Sequence, residues 1–150
     1  MDILVFQLAD QRFGLPAEDV AELLPAVAIT PLPRAPDIVE GIINVRGLVV
    51  PVLDIRARFG LPARAPSYRD HYVVARARER TVAIRADRAI DLVPVAQDAI
   101  SNAAEALPAS PYVRGVARLK DGMVLLHDLH AFLSQAEEAS MDLALENNAS

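Results

Sequence analysis

The 150-residue sequence contains no cysteine, which excludes disulfides, thiolate metal sites and cysteine nucleophiles. Aromatic residues make up only 5%, so few rings are available to stack on nucleic-acid bases. With a net charge of −5 the chain also lacks the clustered cationic surface that a phosphate backbone requires, and nucleic acid is not an expected partner. No window reaches the ~18 to 20 uninterrupted apolar residues of a membrane span. Met1-Asp2-Ile3 carries no basic n-region, so a cytoplasmic protein without direct membrane insertion is expected. Lysine is nearly missing too: fourteen of the fifteen basic residues are Arg, and Lys120 is the exception. Arg suits bidentate interface pairing, but genomic base composition produces the same skew.

The motifs of common catalytic sites are absent as well. The six glycines form no G-x-G-x-x-G and no phosphate-cradling loop, and no serine stands in a G-x-S-x-G context. His71, His127 and His130 are the three histidines. His127 and His130 stand i, i+3 at a strand-to-helix corner with no third ligand beside them, and they read as solvated residues flanking a helix cap. Asp87 and Asp91, next to Arg85 and Arg88, read as a solvated strand face. No enzyme, cofactor or metal is expected, and binding is the better class.

What the chain does contain is 53% hydrophobic residues, enough for a sizeable core, organised around Gly41 to Asp54. Ile42-Ile43 and Leu48 to Leu53 are β-branched and aliphatic, and Arg46-Gly47 between them supplies a residue tolerant of positive φ. Two strands and a tight bend are predicted. Asp54 then ends the second strand and can accept from the free N–H groups of a short helix starting at Ile55. Upstream, Ile3 to Leu8 and Arg12 to Leu15 predict a β-hairpin. Val20, Leu23 and Leu24 recur at helical spacing and predict a helix over 17–24, stopped by Pro25. Val27 to Leu32 reads as an edge strand, and Leu61 to Arg69 as a linker.

Beyond the linker the pattern restarts. Ile3-Leu4-Val5 aligns with Tyr72-Val73-Val74, Phe13 with Val82, Leu15 with Ile84, and Leu23-Leu24-Pro25 with Leu92-Val93-Pro94 without a gap. Later, Gly41 matches Gly115, Arg46-Gly47 matches Lys120-Asp121, and Asp54 matches Asp128. Two copies of roughly 65 residues predict two small β-barrels, each too small to be stable alone and therefore sharing a core. Ala96 to Tyr112 is expected to be mostly loop. Leu129, Phe132, Leu133 and Ala136 predict a last helix after the cap Asp128, ahead of a frayed tail.

Asn44 and Arg46 are polar residues inside the most apolar part of the chain. Asn44 can satisfy its own turn and Arg46 can be a solvated bend; equally, the loop can present a guanidinium fork to a partner carboxylate. Glu22 is either a solvated acid or a rim contact.

Pro36-Asp37-Ile38-Val39-Glu40-Gly41-Ile42-Ile43-Asn44-Val45-Arg46-Gly47, followed by Val50-Pro51-Val52-Leu53-Asp54-Ile55-Arg56, resembles the P-x-x-[IV]-x-G-x-x-N-[LV]-R-G and [IV]-P-[IV]-x-D-[LI]-R pattern of CheW-like domains. These are the adaptor modules of bacterial chemotaxis-type signalling. Phe13-Gly14-Leu15 and Val20-Ala21-Glu22-Leu23 resemble that family's opening hairpin and V-x-E-[IV] segment. The resemblance implies a mainly β fold of two SH3-like five-stranded barrels with short helices, one of them C-terminal. It places a single domain over 1–136, with subdomains at about 1–66 and 67–133 and a frayed tail at 137–150.

The resemblance also implies a non-enzymatic adaptor linking the cytoplasmic tip of a methyl-accepting chemoreceptor to the regulatory domain of a CheA-type histidine kinase, recruited to membrane receptor arrays. Val20, Glu22, Asn44, Arg46 and Gly47 match segments implicated in partner contact, while Gly41, Pro51, Asp54, Gly115 and Asp128 are expected structural positions. Leu23-Leu24-Pro25 departs from the family's usual polar continuation. A pilus or surface-sensing pathway, or more distantly a small-molecule sensor, stays open as an alternative.

Overall fold

A computed structural model describes residues 1–102, 112–129 and 135–147. Its eleven described strands form two sheets. β1 (Asp2–Leu8) and β2 (Gln11–Pro16) are the predicted hairpin, with Leu8 opposite Gln11. β3 (Val20–Pro25), β4 (Val39–Val45), β5 (Leu48–Leu53), β6 (His71–Ala77) and β7 (Arg80–Ala86) make one sheet in the order β3-β6-β7-β5-β4. β8 (Arg88–Pro94), β9 (Ile100–Asn102), β10 (Val113–Leu119) and β11 (Gly122–His127) join the first hairpin in the other, ordered β8-β1-β2-β11-β10-β9.

Both sheets close by the same device. In the larger one the chain leaves β8 at one edge and returns as β9 at the opposite edge, pairing Ser101 with Val116. In the smaller one it leaves β3 and reaches across to Ile42 of β4, where Thr30 gives and receives a backbone hydrogen bond at 2.9 and 2.8 Å. Closure removes the unpaired edges that would otherwise invite aggregation. The strand expected over Val27 to Leu32 is therefore this one bridge, and the larger barrel counts six strands because its closing segment is three residues long.

Each sheet draws strands from both sides of residue 66, so the two barrels do not divide the chain into two consecutive pieces. β1 and β2 belong with β8 to β11, through the parallel pair Leu125–Phe13, while β6 and β7 belong with β3 to β5, through the parallel pair Val52–Ala83. The repeat is real in the strand pattern, but its copies exchange hairpins. Strand faces explain why. Tyr72, Val74 and Ala83 fill the five-stranded barrel together with Ile43, Val45, Val50 and Val52. Ile3, Val5, Ala117, Val124 and Leu126 fill the six-stranded one. The opposite faces of β1, β2, β6 and β7 contribute Leu4, Phe6, Phe13, Leu15, Val73, Ala75, Val82 and Ile84 to a third and larger core shared by both. At roughly 1.5–3 kcal/mol per buried large aliphatic side chain, this shared layer is what makes two marginal barrels one unit.

Two predicted elements differ. The helix expected over 17–24 is a single 3-10 turn, Ala17–Asp19, followed by β3. Val20, Glu22 and Leu24 also fit a period of two, and pairing with β6 from Val20–Ala75 to Pro25–His71 overrides the weak helical spacing. The tail expected to fray from residue 137 is instead α1 (Gln135–Asn147). Met141 and Ala144, one turn apart, are buried in the shared core, and Glu137 accepts from Arg58 at 2.7 Å. Arg80 pairs with Asp142. The sequence of α1 carries little amphipathic signal, and its partners lie far away in the chain. Phe132, Leu133 and His130 lie outside the described residues.

Candidate functional site

The β4–β5 hairpin turns on two residues, with Val45 opposite Leu48. Arg46 has φ 50° and Gly47 φ 86°, the pair of left-handed conformations that matches the twist of the flanking strands. Asn44 braces the turn, its Oδ1 accepting from the Gly47 N–H at 2.7 Å. The bend thus fixes the Arg46 side chain at the rim of the five-stranded barrel. There its Nη2 donates to Glu22 Oε1 on β3 at 2.7 Å. β3 and β4 are the two ends of the sheet order, so this ion pair spans the line of barrel closure. Arg46 is 78% exposed at its side chain and Glu22 20%.

Around this pair the surface is apolar. Leu48 and Val49 are more than half exposed, at 52% and 54%, immediately after the turn, and Leu23 is exposed on β3 next to Glu22. Leu23 lies opposite Val73, whose side chain enters the shared core. Val20 is half-buried and packs on that same core. Of the five residues expected at a partner surface, Glu22 and Arg46 therefore meet directly, Asn44 and Gly47 hold the turn that presents Arg46, and Val20 sits on the inner side of β3. A rim of this kind, a charged pair set among exposed aliphatics, is suited to protein contact. It holds no nucleophile.

The residues expected to be structural take different positions. A Cβ on Gly41 would overlap the Thr30 carbonyl and stand 2.6 Å from Ile29 Cγ2. At Gly115 a Cβ would lie 2.8 Å from the Ser101 carbonyl oxygen. Both glycines thus lie where the closing segment crosses. Pro51 pairs opposite Ile42 within the β4–β5 ladder. Asp128 donates its backbone N–H to the Tyr112 carbonyl. Asp54 stands one residue ahead of the cap position, which Ile55 holds before the 3-10 turn Arg56–Phe59: its Oδ1 accepts from the Arg56 backbone at 3.1 Å and side chain at 3.3 Å, and its Oδ2 accepts from Arg85 Nη2 at 3.3 Å.

That last contact belongs to a buried charged cluster that sequence patterning does not reveal. Arg85 and Asp87 are not a solvated face. Arg85 is 1% exposed and donates to Glu40 at 2.6 Å, to Asp70 at 3.3 Å and to the Arg64 carbonyl at 2.6 Å. Arg64 pairs with Asp70 and Asp87, and Arg56 with Asp87. Asp87 also accepts from the Ala9 N–H at 2.6 Å, in the β1–β2 turn of the other barrel. The linker expected over 61–69 has no regular structure, yet these contacts pin it. Arg85 shares a strand face with Ala83, which points into the five-stranded barrel, so its guanidinium meets Asp54 and Asp70 at strand ends and closes one mouth of that barrel. Burial works against the Arg85 charge, but Glu40, Asp54 and Asp70 outweigh it and hold its pKa above the ordinary value. Burial raises Glu40, with Arg85 opposing. At Asp87 burial is overcome by the Ala9 N–H and by Arg64 and Arg56, and its carboxyl lies below the usual range.

His127, expected to be solvated, is 1% exposed and meets the Phe59 ring edge-on at 5.7 Å. Burial, reinforced by the Arg58 charge, lowers its pKa from 6.5 to about 3. Among the described residues no group of three or more His, Asp or Glu is arranged to hold a metal ion. No described helix is long and apolar enough to cross a membrane.

The model of the CheW-like domain matches residues 2–137. Chemotaxis protein CheW of Rhizobium meliloti is 31% identical over 142 residues, which cover 93% of this chain and 92% of that one. Probable chemotaxis protein CheW of Rhizobium etli is 28% identical over 138 residues, covering 91% and 89%. Among solved structures, the scaffolding protein TtCheW from Thermoanaerobacter tengcongensis superposes with a TM-score of 0.81 at 29% identity, covering 91% of this chain and 94% of that one.

Proposed function

The chain belongs to the CheW-like domain family, a family of chemotaxis scaffolds, and on that footing we propose that it couples the cytoplasmic tip of a methyl-accepting chemoreceptor to the regulatory domain of a CheA-type histidine kinase. The observation that carries this reading is the Glu22–Arg46 pair, residues 24 positions apart brought to 2.7 Å on an exposed rim and flanked by Leu23, Leu48 and Val49. A helix of the receptor tip laid on this rim would bury the aliphatics for affinity and meet Arg46 for register. The adaptor makes and breaks no bond. Signals would pass as a change in the relative stability of assembled states, which needs only that the partners bind those states differently.

The test is reconstitution from the purified chain, a soluble receptor-tip fragment and the kinase regulatory domain. Co-sedimentation of all three is expected, with Arg46→Glu removing receptor from the assembly while the fold persists. Wild-type assembly by Arg46→Glu, or no association with either protein, would overturn the reading.

A further inference from the structure

The repeat that built two barrels also built the rim twice. The register that sets Leu23-Leu24-Pro25 on Leu92-Val93-Pro94 sets Glu22 on Asp91, and Arg46-Gly47 falls on Lys120-Asp121. The strand pairings agree: Glu22 lies opposite Val74 and Asp91 opposite Val5, themselves a matched pair. Likewise Val45 lies opposite Leu48 across one two-residue turn, and Leu119 opposite Gly122 across the other. In the six-stranded barrel Asp91, Lys120 and Asp121 line a cleft of about 480 Å³ with Arg12 and Arg118, floored by aliphatic residues that include Val93 and Leu119.

The two rims differ in how their cations are satisfied. Arg46 is neutralised from within by Glu22. Asp91 instead accepts from the Leu92 backbone N–H at 2.7 Å, and Lys120, exposed at the turn, has no ion pair among the described residues. Arg12 pairs with Asp121 at 3.1 Å. Arg118 is exposed and donates to the Asp98 carbonyl, and it has no ion pair among the described residues. On a chain of net charge −5 this cleft presents two cations without an ion pair among the described residues, Arg118 and Lys120, against one such carboxylate, Asp91. Arg118 stands near the end of β10 and Lys120 on the turn that follows it, and both line the cleft. Their complement is a partner segment rich in carboxylates.

We propose that this cleft is a second docking site, which takes an acidic segment of a partner protein whose side-chain carboxylates meet Arg118 and Lys120. The adaptor then carries two related sites of opposite demand, one internally neutral and one seeking negative charge.

The probe is an acetylated, amidated peptide of alternating Glu and Val, titrated into the isotope-labelled full chain by NMR. Amide shift changes concentrated at 91–99 and 118–121 are expected. They should weaken with salt, and the Gln-for-Glu peptide should not produce them. Arg118→Glu/Lys120→Glu should bind at least tenfold more weakly and Lys120→Gln about threefold, each with wild-type thermal unfolding. Arg46→Glu should bind as wild type. Shift changes spread over arginines elsewhere, equal binding by the double variant, or the same residues shifting with the chain's own concentration would overturn the proposal, the last by making a second copy the occupant. No receptor or kinase is used as readout, so failure of the coupling reading and failure of this site are separable.

Discussion

The backbone carbonyl of Thr30 occupies the space into which a side chain on Gly41 would grow. The strand that closes the five-stranded barrel can approach only because that position lacks a Cβ, and Gly115 meets the Ser101 carbonyl in the same relation. Gly41→Ala should therefore destabilise by about 1–3 kcal/mol, and Gly41→Val by more, since the obstructing atom is backbone. Gly115→Ala should cost less, because its Cβ would lie 2.8 Å from the oxygen. Denaturant midpoints of the three variants check the order.

Arg46 and Glu22 form an exposed pair at the rim, and such pairs are worth about 0–1 kcal/mol. Arg46→Glu should leave the unfolding midpoint nearly unchanged. The exchange Glu22→Arg/Arg46→Glu should restore the internal pair without restoring association, because a partner would meet the charges reversed. Thermal scans together with the reconstituted assembly separate the two effects.

Arg85, itself buried, is held by three carboxylates. Removing it leaves those acids uncompensated, and Arg85→Ala should cost about 3–5 kcal/mol. Asp87 adds a pH dependence of definite sign. Its folded pKa lies below the ordinary 3.8, so its contribution is present above that value and is lost as pH falls through the folded one. Asp87→Asn should flatten the acid limb of the stability curve, measured by urea unfolding between pH 5 and roughly 3.

His127 titrates in a higher window. The unfolded chain takes up a proton below about 6.5, whereas the buried imidazole does so only near 3. Stability from this residue is complete above about 6.5 and declines as pH falls, by up to about 1.4 kcal/mol per unit. Urea unfolding at pH 7 and 5 should show a smaller difference in His127→Phe than in wild type, whatever the offset between the two proteins.

Met141 of α1 is completely buried in the shared core. Met141→Ala should destabilise by about 2–5 kcal/mol. A merely frayed tail would tolerate that change without loss, and calorimetric midpoints distinguish the two.

Local chemistry was readable wherever it decided the outcome. Arg46-Gly47 announced its turn because few residue pairs accept two positive φ angles, and the alternation around Phe13 and Leu15 announced a strand. The Glu22–Arg46 pairing was not legible, since nothing local states that the ends of a sheet will meet. Segment 17–24 misled because Val20, Leu23 and Leu24 satisfy a helical period while Val20, Glu22 and Leu24 satisfy a strand period, and only pairing with β6 chooses. Arg85 and His127 look solvent-bound by composition. Their burial depends on Asp54 and Asp70 for one and Phe59 for the other, residues far off in the chain.

The hairpin exchange between the repeats dictates an order of assembly. As the chain leaves the ribosome, every strand of the five-stranded barrel is available once Ala86 has emerged. The opening hairpin, although made first, must wait for β11 and its Leu125–Phe13 pairing, more than a hundred residues later. Until then Ile3 and Val5 lack Ala117, Val124 and Leu126, which fill their barrel with them, and a nascent chain stalled near residue 100 should be the species that chaperones hold.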